Sequence, residues 1–138
     1  MNSISGLHTR EINCLVPRLL DGVRWLGVFA RDELPDVSRE SRPWCLILST
    51  DPIDQPGSHW LALYAPINGL IELFDSFGFS PSTYNLDSLN PIHLSYTFQS
   101  LNSSVCGQYC IVYLYLRSRH KSLTQIFYLF ISISDRDV

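Results

Sequence analysis

An α+β fold, with a mixed or mainly antiparallel sheet packed against one long helix, is predicted by three features of the 138-residue chain. Three apolar runs between Cys45 and Asp75 have the length and composition of strands, and the last two flank Pro66-Ile67-Asn68-Gly69, a hairpin connection. Cys106 to His120 is too long for an ordinary strand and holds no proline. Ser122-Leu123-Thr124-Gln125 carries the capping-box pattern that opens a further helix. At 46% hydrophobic and 17% charged, the chain can bury a core, and no repeat or linker divides it. Residues 1–138 are therefore expected to form a single domain.

In chain order, Glu11 to Arg24 places Ile12, Leu15, Leu19 and Leu20 near helical spacing, a weak amphipathic helix interrupted at Pro17. Trp25 to Ala30 is a short strand closed by polar residues and Pro35, and Asp36 to Pro43 an exposed loop. Cys45 to Thr50, His59 to Ala65 and Leu70 to Asp75 are the three central strands, with a proline-rich loop over Asp51 to Ser58. Ser76 to Pro81 forms a turn, Ser82 to Pro91 a loop, and His93 to Phe98 a further strand. In the helix from Cys106, Ile111 to Leu116 is apolar all round, which predicts a central, buried element. Arg117, Arg119 and Lys121 fall at its far end, where cations complement the helix dipole. The second helix is expected to run through Phe130.

Charge and length narrow the function classes. A formal net charge of −3 argues against a general nucleic-acid binder. The longest apolar run, Cys110 to Leu116, falls far short of the roughly 20 residues that cross a bilayer. Arg10 and Glu11 precede any apolar stretch, unlike a secretory signal, so an intracellular location in cytoplasm or nucleus, or with a virion, is expected. Cysteines 14, 45, 106 and 110 are too sparse for a disulfide framework, and reduced thiols are the expected state.

A reduced thiol can be a nucleophile, and Cys106 has the setting for it. It stands at the start of the predicted helix, between Ser103-Ser104 and Gly107, where the positive end of the dipole favours thiolate. Across the hairpin, a loop over Ala65 to Gly69 gives opposed residues whose numbers sum to 134. His59 then faces Asp75 on one side of the sheet, with β-carbons roughly 4.5–5.5 Å apart. A tight Asn68-Gly69 turn would change the sum to 137 and separate the two onto opposite faces. His59 would form a thiolate–imidazolium pair with Cys106, Asp75 would fix the ring, and Gln99 with the Cys106 N–H would form an oxyanion hole. Singly, each residue has a blander reading: a strand-end histidine, a turn-starting aspartate, a buried core cysteine. Their joint order in one short chain is harder to attribute to chance.

The strings His59-Trp60, Phe74-Asp75-Ser76-Phe77-Gly78 and Gln99-x6-Cys106-Gly107-Gln108-Tyr109-Cys110 together resemble the adenovirus-type cysteine proteases, the adenain-like family also found in Maverick/Polinton elements. The likeness is clearest over residues 20–119. It implies a papain-like fold and proteolysis after glycine-containing sequences, as in viral or transposon precursor maturation, with His59, Asp75 and Cys106 as the triad and Gln99 in the oxyanion hole. Protein or polyprotein substrates follow, with neither cofactor nor metal. The SUMO-deconjugating Ulp proteases share the order of residues, but they usually place an acidic residue before the nucleophile, where this chain has Val105. The chain also departs from adenain. It has Asp75 in place of the usual glutamate, and its Asp75-to-Gln99 stretch is shorter and lacks cysteine. Activation by a disulfide-linked peptide therefore does not carry over. Ile131 to Val138 reads as a shortened end, and DNA stimulation fits poorly with a single lysine.

Rival readings are a deconjugating isopeptidase for a ubiquitin-like modifier, an acyltransferase using the same triad, and a non-catalytic binding module of the same fold. A zinc site from His59, Cys106, Cys110 and His120 matches structural zinc spacing poorly. Trp60 is expected in the core. Serine-hydrolase, zincin, Walker and dinucleotide motifs are absent from the sequence.

Overall fold

The structure, a computed structural model, describes residues 8–50, 59–94 and 106–137. Helix α1 (Thr9–Leu19) leads into strands β1 (Arg24–Ala30), β2 (Trp44–Ser49), β3 (Trp60–Ala65), β4 (Glu72–Phe74) and β5 (Ile92–His93), then helices α2 (Cys106–Ser118) and α3 (Leu123–Asp137). Among the described residues the strands form one mixed sheet in the order β1-β2-β3-β4-β5. The outer pairs β1–β2 and β4–β5 are parallel, and the inner pairs β2–β3 and β3–β4 are antiparallel. Among the described residues an α+β architecture with a mixed sheet and three α-helices is thus in place, as predicted, and it is compatible with a protease fold.

The central strands lie between two apolar layers, which is why they read as continuous hydrophobic runs rather than alternating ones. Cys45, Ile47, Trp60, Ala62, Tyr64 and Phe74 join Ile12 and Val16 of α1, Tyr109, Cys110, Tyr113 and Leu114 of α2, and Ile126 and Phe130 of α3. The alternate residues Trp44, Leu46, Leu48, Leu61, Leu63, Ala65 and Leu73 pack with Val37, Tyr84 and Leu86 on the other face. Trp60 is buried in the helix-side layer, as expected.

In α1 the buried stripe is Ile12 and Val16, while Leu15 is exposed. At 100° per residue Leu15 points about 80° from the midline between Ile12 and Val16. Pro17 is carried inside the helix, which ends two residues later. The Ser122 capping box forms as read: Gln125 N donates to Ser122 Oγ at 3.1 Å and Ser122 N to Gln125 Oε1 at 2.9 Å. Helix α3 runs past Phe130 to Asp137.

Three expectations are corrected. The hairpin pairs Ala62 with Phe74, Leu63 with Leu73 and Tyr64 with Glu72, so opposed numbers sum to 136, neither 134 nor 137. Ala65 stays in β3 because its other edge pairs with Trp44 of β2, and the connection becomes Pro66 to Ile71. Arg42 Nη1 donates to the carbonyls of Pro66 and Gly69 at 3.3 and 2.6 Å, bracing that loop. Secondly, Ser82 to Pro91 holds two 3₁₀ turns, Pro81–Tyr84 and Asp87–Leu89, which bring Tyr84 and Leu86 into the core. Thirdly, β5 starts at Ile92 and spans two residues, with Leu94 beyond it; residues 95–98 of the predicted strand lie outside the described residues.

Candidate functional site

His59 immediately precedes β3 and Asp75 immediately follows β4, so both stand just past the last ladder pair at one end of the sheet. A shift of the register from 134 to 136 preserves parity. The two residues therefore share a face as predicted, now as diagonal neighbours rather than directly opposed ones. The side chains meet: His59 Nε2 lies 2.6 Å from Asp75 Oδ1, with the histidine 6% and the aspartate 1% exposed.

The turn after β4 is built around the Asp75 carboxylate. Gly78 N donates to the Asp75 carbonyl at 2.8 Å, and Gly78 itself takes a φ of +78°, a conformation that suits glycine. The chain thereby folds back over the side chain. Phe77 N donates to Oδ1 at 2.9 Å and Phe79 N to Oδ2 at 3.1 Å, while the Tyr84 hydroxyl donates to Oδ2 at 2.5 Å. With His59, four donors reach two oxygens. Burial pushes the Asp75 carboxyl up, but the hydrogen bonds from His59, Tyr84 and Phe77, with the imidazolium charge, outweigh it and hold the group below the usual carboxylate range. An ionised carboxylate only accepts, so Nε2 carries the proton of this contact. The Phe77 ring stacks on the imidazole at 3.9 Å between centroids and 8° between planes, which fixes the ring plane.

Helix α2 is oriented by contacts along its length. Cys110 Sγ donates to the Trp60 carbonyl at 3.4 Å, Tyr113 stacks on Phe74 at 4.5 Å, and Arg117 lies 5.1 Å over the Tyr64 ring. The helix therefore runs in the direction of β3, with its N-terminal end toward the end of the sheet that carries His59 and Asp75. Cys106 is its first residue, about 6 Å along the axis before Cys110. Gln99, the predicted oxyanion-hole residue, lies outside the described residues.

The other predicted features separate from this end. His120 follows the far terminus of α2, about 20 Å along the axis from Cys106, so the zinc set considered from sequence is not assembled. Among the described residues no group of three or more His, Cys, Asp or Glu side chains is arranged to hold a metal ion. Cys45 and Cys110 are buried thiols, and burial pushes Cys45 up to about 12. Cys14 is an exposed free thiol.

Sequence reasoning missed Tyr84, which arrives through a turn opened by Pro81 and has no spacing signal relative to Asp75. It also misread Arg117. Rather than only complementing the helix dipole, the guanidinium grips the buried Glu72 of β4 through Nε at 3.0 Å and Nη2 at 2.7 Å, and the Tyr113 hydroxyl donates to the same carboxylate. Arg119 meets the exposed Asp21 at 3.5 Å.

No family profile matches the chain. Two viral proteins are similar to it. The protease of Bovine adenovirus B serotype 3 is 27% identical over 131 residues, covering 80% of this chain and 64% of that protein. The protease of Bovine adenovirus 2 is 26% identical over 129 residues, covering 80% of this chain and 62% of that protein. The chain spans less than two thirds of the length of these curated relatives.

Proposed function

We propose that the chain is an adenain-like cysteine endopeptidase in which Cys106 is the nucleophile, His59 the general base and acid, Asp75 the group that orients His59, and Gln99 an oxyanion-hole donor. The observation that carries the reading is the buried His59–Asp75 pair at the end of the sheet toward which the N-terminal end of α2 is directed. Its support from known proteins is the low-identity similarity to two adenovirus proteases.

In this reading the chemistry follows from which atoms are engaged. Nε2 is committed to Asp75, so proton exchange with the thiol passes through Nδ1. Trp60 and Cys110 occupy the interface between β3 and the body of α2, which leaves the helix tip, past the last strand pair, to approach His59. There the helix dipole and an imidazolium both favour thiolate. The thiolate attacks the scissile carbonyl, the tetrahedral oxyanion is held by Gln99 and the Cys106 N–H, and the C–N bond breaks as His59 protonates the departing amine. Water, deprotonated by His59, then cleaves the thioester and returns the enzyme. Protein or polyprotein substrates cut at glycine-containing sites, as in viral or transposon precursor maturation, are the substrate class proposed.

Cys106→Ala should abolish cleavage of glycine-containing peptides, and retained cleavage removes Cys106 as nucleophile. Alkylation addresses the non-catalytic alternative. Cys106 should react with iodoacetamide faster than exposed Cys14 at mildly acidic pH, whereas equal rates would favour an inert module.

A further inference from the structure

The far half of the α2–β4 contact holds a cluster that the proposed chemistry does not use. Glu72 is 3% exposed, yet it carries a carboxylate into the layer between sheet and helix. There Arg117 grips both oxygens with a two-pronged hydrogen bond and Tyr113 donates a third. Arg117 is itself located by two further contacts: the Tyr64 ring beneath it and the Lys121 carbonyl, which accepts from Nη1 at 2.9 Å. Tyr113 is fully buried, and its ring stacks on Phe74 while its hydroxyl reaches Glu72, so one side chain touches both helix-facing residues of β4.

Apolar packing between a helix and a sheet tolerates small slides, because one methyl contact substitutes for another. A buried carboxylate does not. If α2 slid or rotated by even part of a turn, Glu72 would lose its donors inside an apolar layer and be left an unpaired buried charge, which is strongly unfavourable. The two ends of this contact matter elsewhere. β4 is followed directly by Asp75, and α2 begins at Cys106. We propose that Glu72, Arg117 and Tyr113 form a registration clamp that sets the axial position of α2 against β4 and thereby sets Cys106 against the His59–Asp75 pair. They are positioning residues acting from the opposite end of the helix. This rests on the proposed function, since it assigns a purpose to holding those two ends in register.

A clamp that specifies register need not add stability. Replacing a buried ionic cluster with apolar groups of similar size is often neutral or stabilising. The test uses the full chain and the double variant Glu72→Leu/Arg117→Met, with Arg117→Lys as a second variant that keeps the charge but loses the fork. Each is read by thermal unfolding and by the rate of Cys106 carbamidomethylation with iodoacetamide from pH 5 to 9, with Cys14 as internal reference. The expected result is a folded variant whose Cys106 loses its mildly acidic reactivity by about tenfold or more, as a displacement of about 1 Å between reacting groups would give, while Cys14 is unchanged. A folded variant with the wild-type Cys106 profile overturns the clamp. Failure of both variants to fold overturns it as well, because the cluster would then hold the fold rather than a setting within it. If wild-type Cys106 itself shows no enhanced reactivity, the proposed function fails first, and the two failures are told apart.

Discussion

Glu72 and Asp75 stand three residues apart on and just after β4, both nearly inaccessible and both fully engaged, but by opposite means. Glu72 faces a guanidinium that stays charged at any ordinary pH, backed by a tyrosine whose hydroxyl is pushed well above its usual range by burial and by the adjacent carboxylate. Asp75 faces an imidazole, two backbone amides and a tyrosine. The first arrangement sets a fixed cation against both carboxylate oxygens in a two-pronged grip, which suits it to fixing geometry. The second couples a carboxylate to the one side chain whose ordinary titration falls near neutrality. β4 and the residue after it thus present two buried carboxylates, one held by a permanent cation and the other by a titratable ring.

The sharpest way to break that contrast is Asp75→Asn. The amide keeps the shape but sets an NH₂ against donors already present, and it no longer stabilises an imidazolium. Reactivity of Cys106 toward iodoacetamide at pH 6 should fall by about ten- to a hundredfold, since the proposed mechanism pairs a Cys106 thiolate with an imidazolium that Asp75 stabilises. Unchanged reactivity at that pH, with the variant folded, would remove Asp75 from the responsive end.

The responsive end was half legible in the sequence. His59 and Asp75 follow from hairpin alternation and turn chemistry, and the start of α2 at Cys106 from run length and helical spacing, all of which are local. Even the wrong hairpin sum left His59 and Asp75 on one face, because a slip of two residues preserves parity. What stayed hidden depends on approach between distant segments. Arg117 lies 45 residues from Glu72, and its helix-end position offered a sufficient local explanation. Tyr84 sits in a stretch whose proline, serine and asparagine signal only loop, and nothing in that pattern announces a hydroxyl directed at a carboxylate. Leu15 shows the same limit on a smaller scale. It fits helical spacing, yet Val16 takes the buried place.

A smaller effect sharpens the comparison through acid. Burial alone would raise the Asp75 carboxyl, and its donors bring it below the usual range. A group depressed in the folded state stabilises above its unfolded value, near 3.9, and that contribution is lost as pH falls through the folded value. Tyr84→Phe removes one donor to the charged form. It should cost about 1.5–3 kcal/mol at pH 7, the range for a hydrogen bond to a charged group. The difference from wild type should shrink in acid, as pH falls first through the folded-state value of the variant's carboxyl and then through the lower wild-type one, while protonation of the unfolded chain is common to both and cancels. Urea unfolding at a series of pH values measures it. A difference that stays constant after both folded proteins have taken up the Asp75 proton would mean that the hydroxyl acts through packing and not through the carboxylate.

The smallest effect belongs to an ion pair of the same chemical type as Glu72–Arg117 but in the opposite setting. Arg119 Nη1 lies 3.5 Å from Asp21 Oδ2, with side chains 44% and 69% exposed. Arg119 also lies 5.2 Å over the Tyr115 ring, so its position does not depend on the aspartate. Water already solvates both charges and salt screens them, so Asp21→Ala should change stability by less than about 0.5 kcal/mol, and less again in 0.5 M salt. Chemical denaturation at two ionic strengths reads this directly. A cost above about 1 kcal/mol would show that exposure is not what separates the two arginines, and that the grip on Glu72 owes less to burial than to the fork itself. The expected near-zero value assigns the difference to environment: the same two charges that mean little at the surface become a constraint on register once water is excluded around one of them.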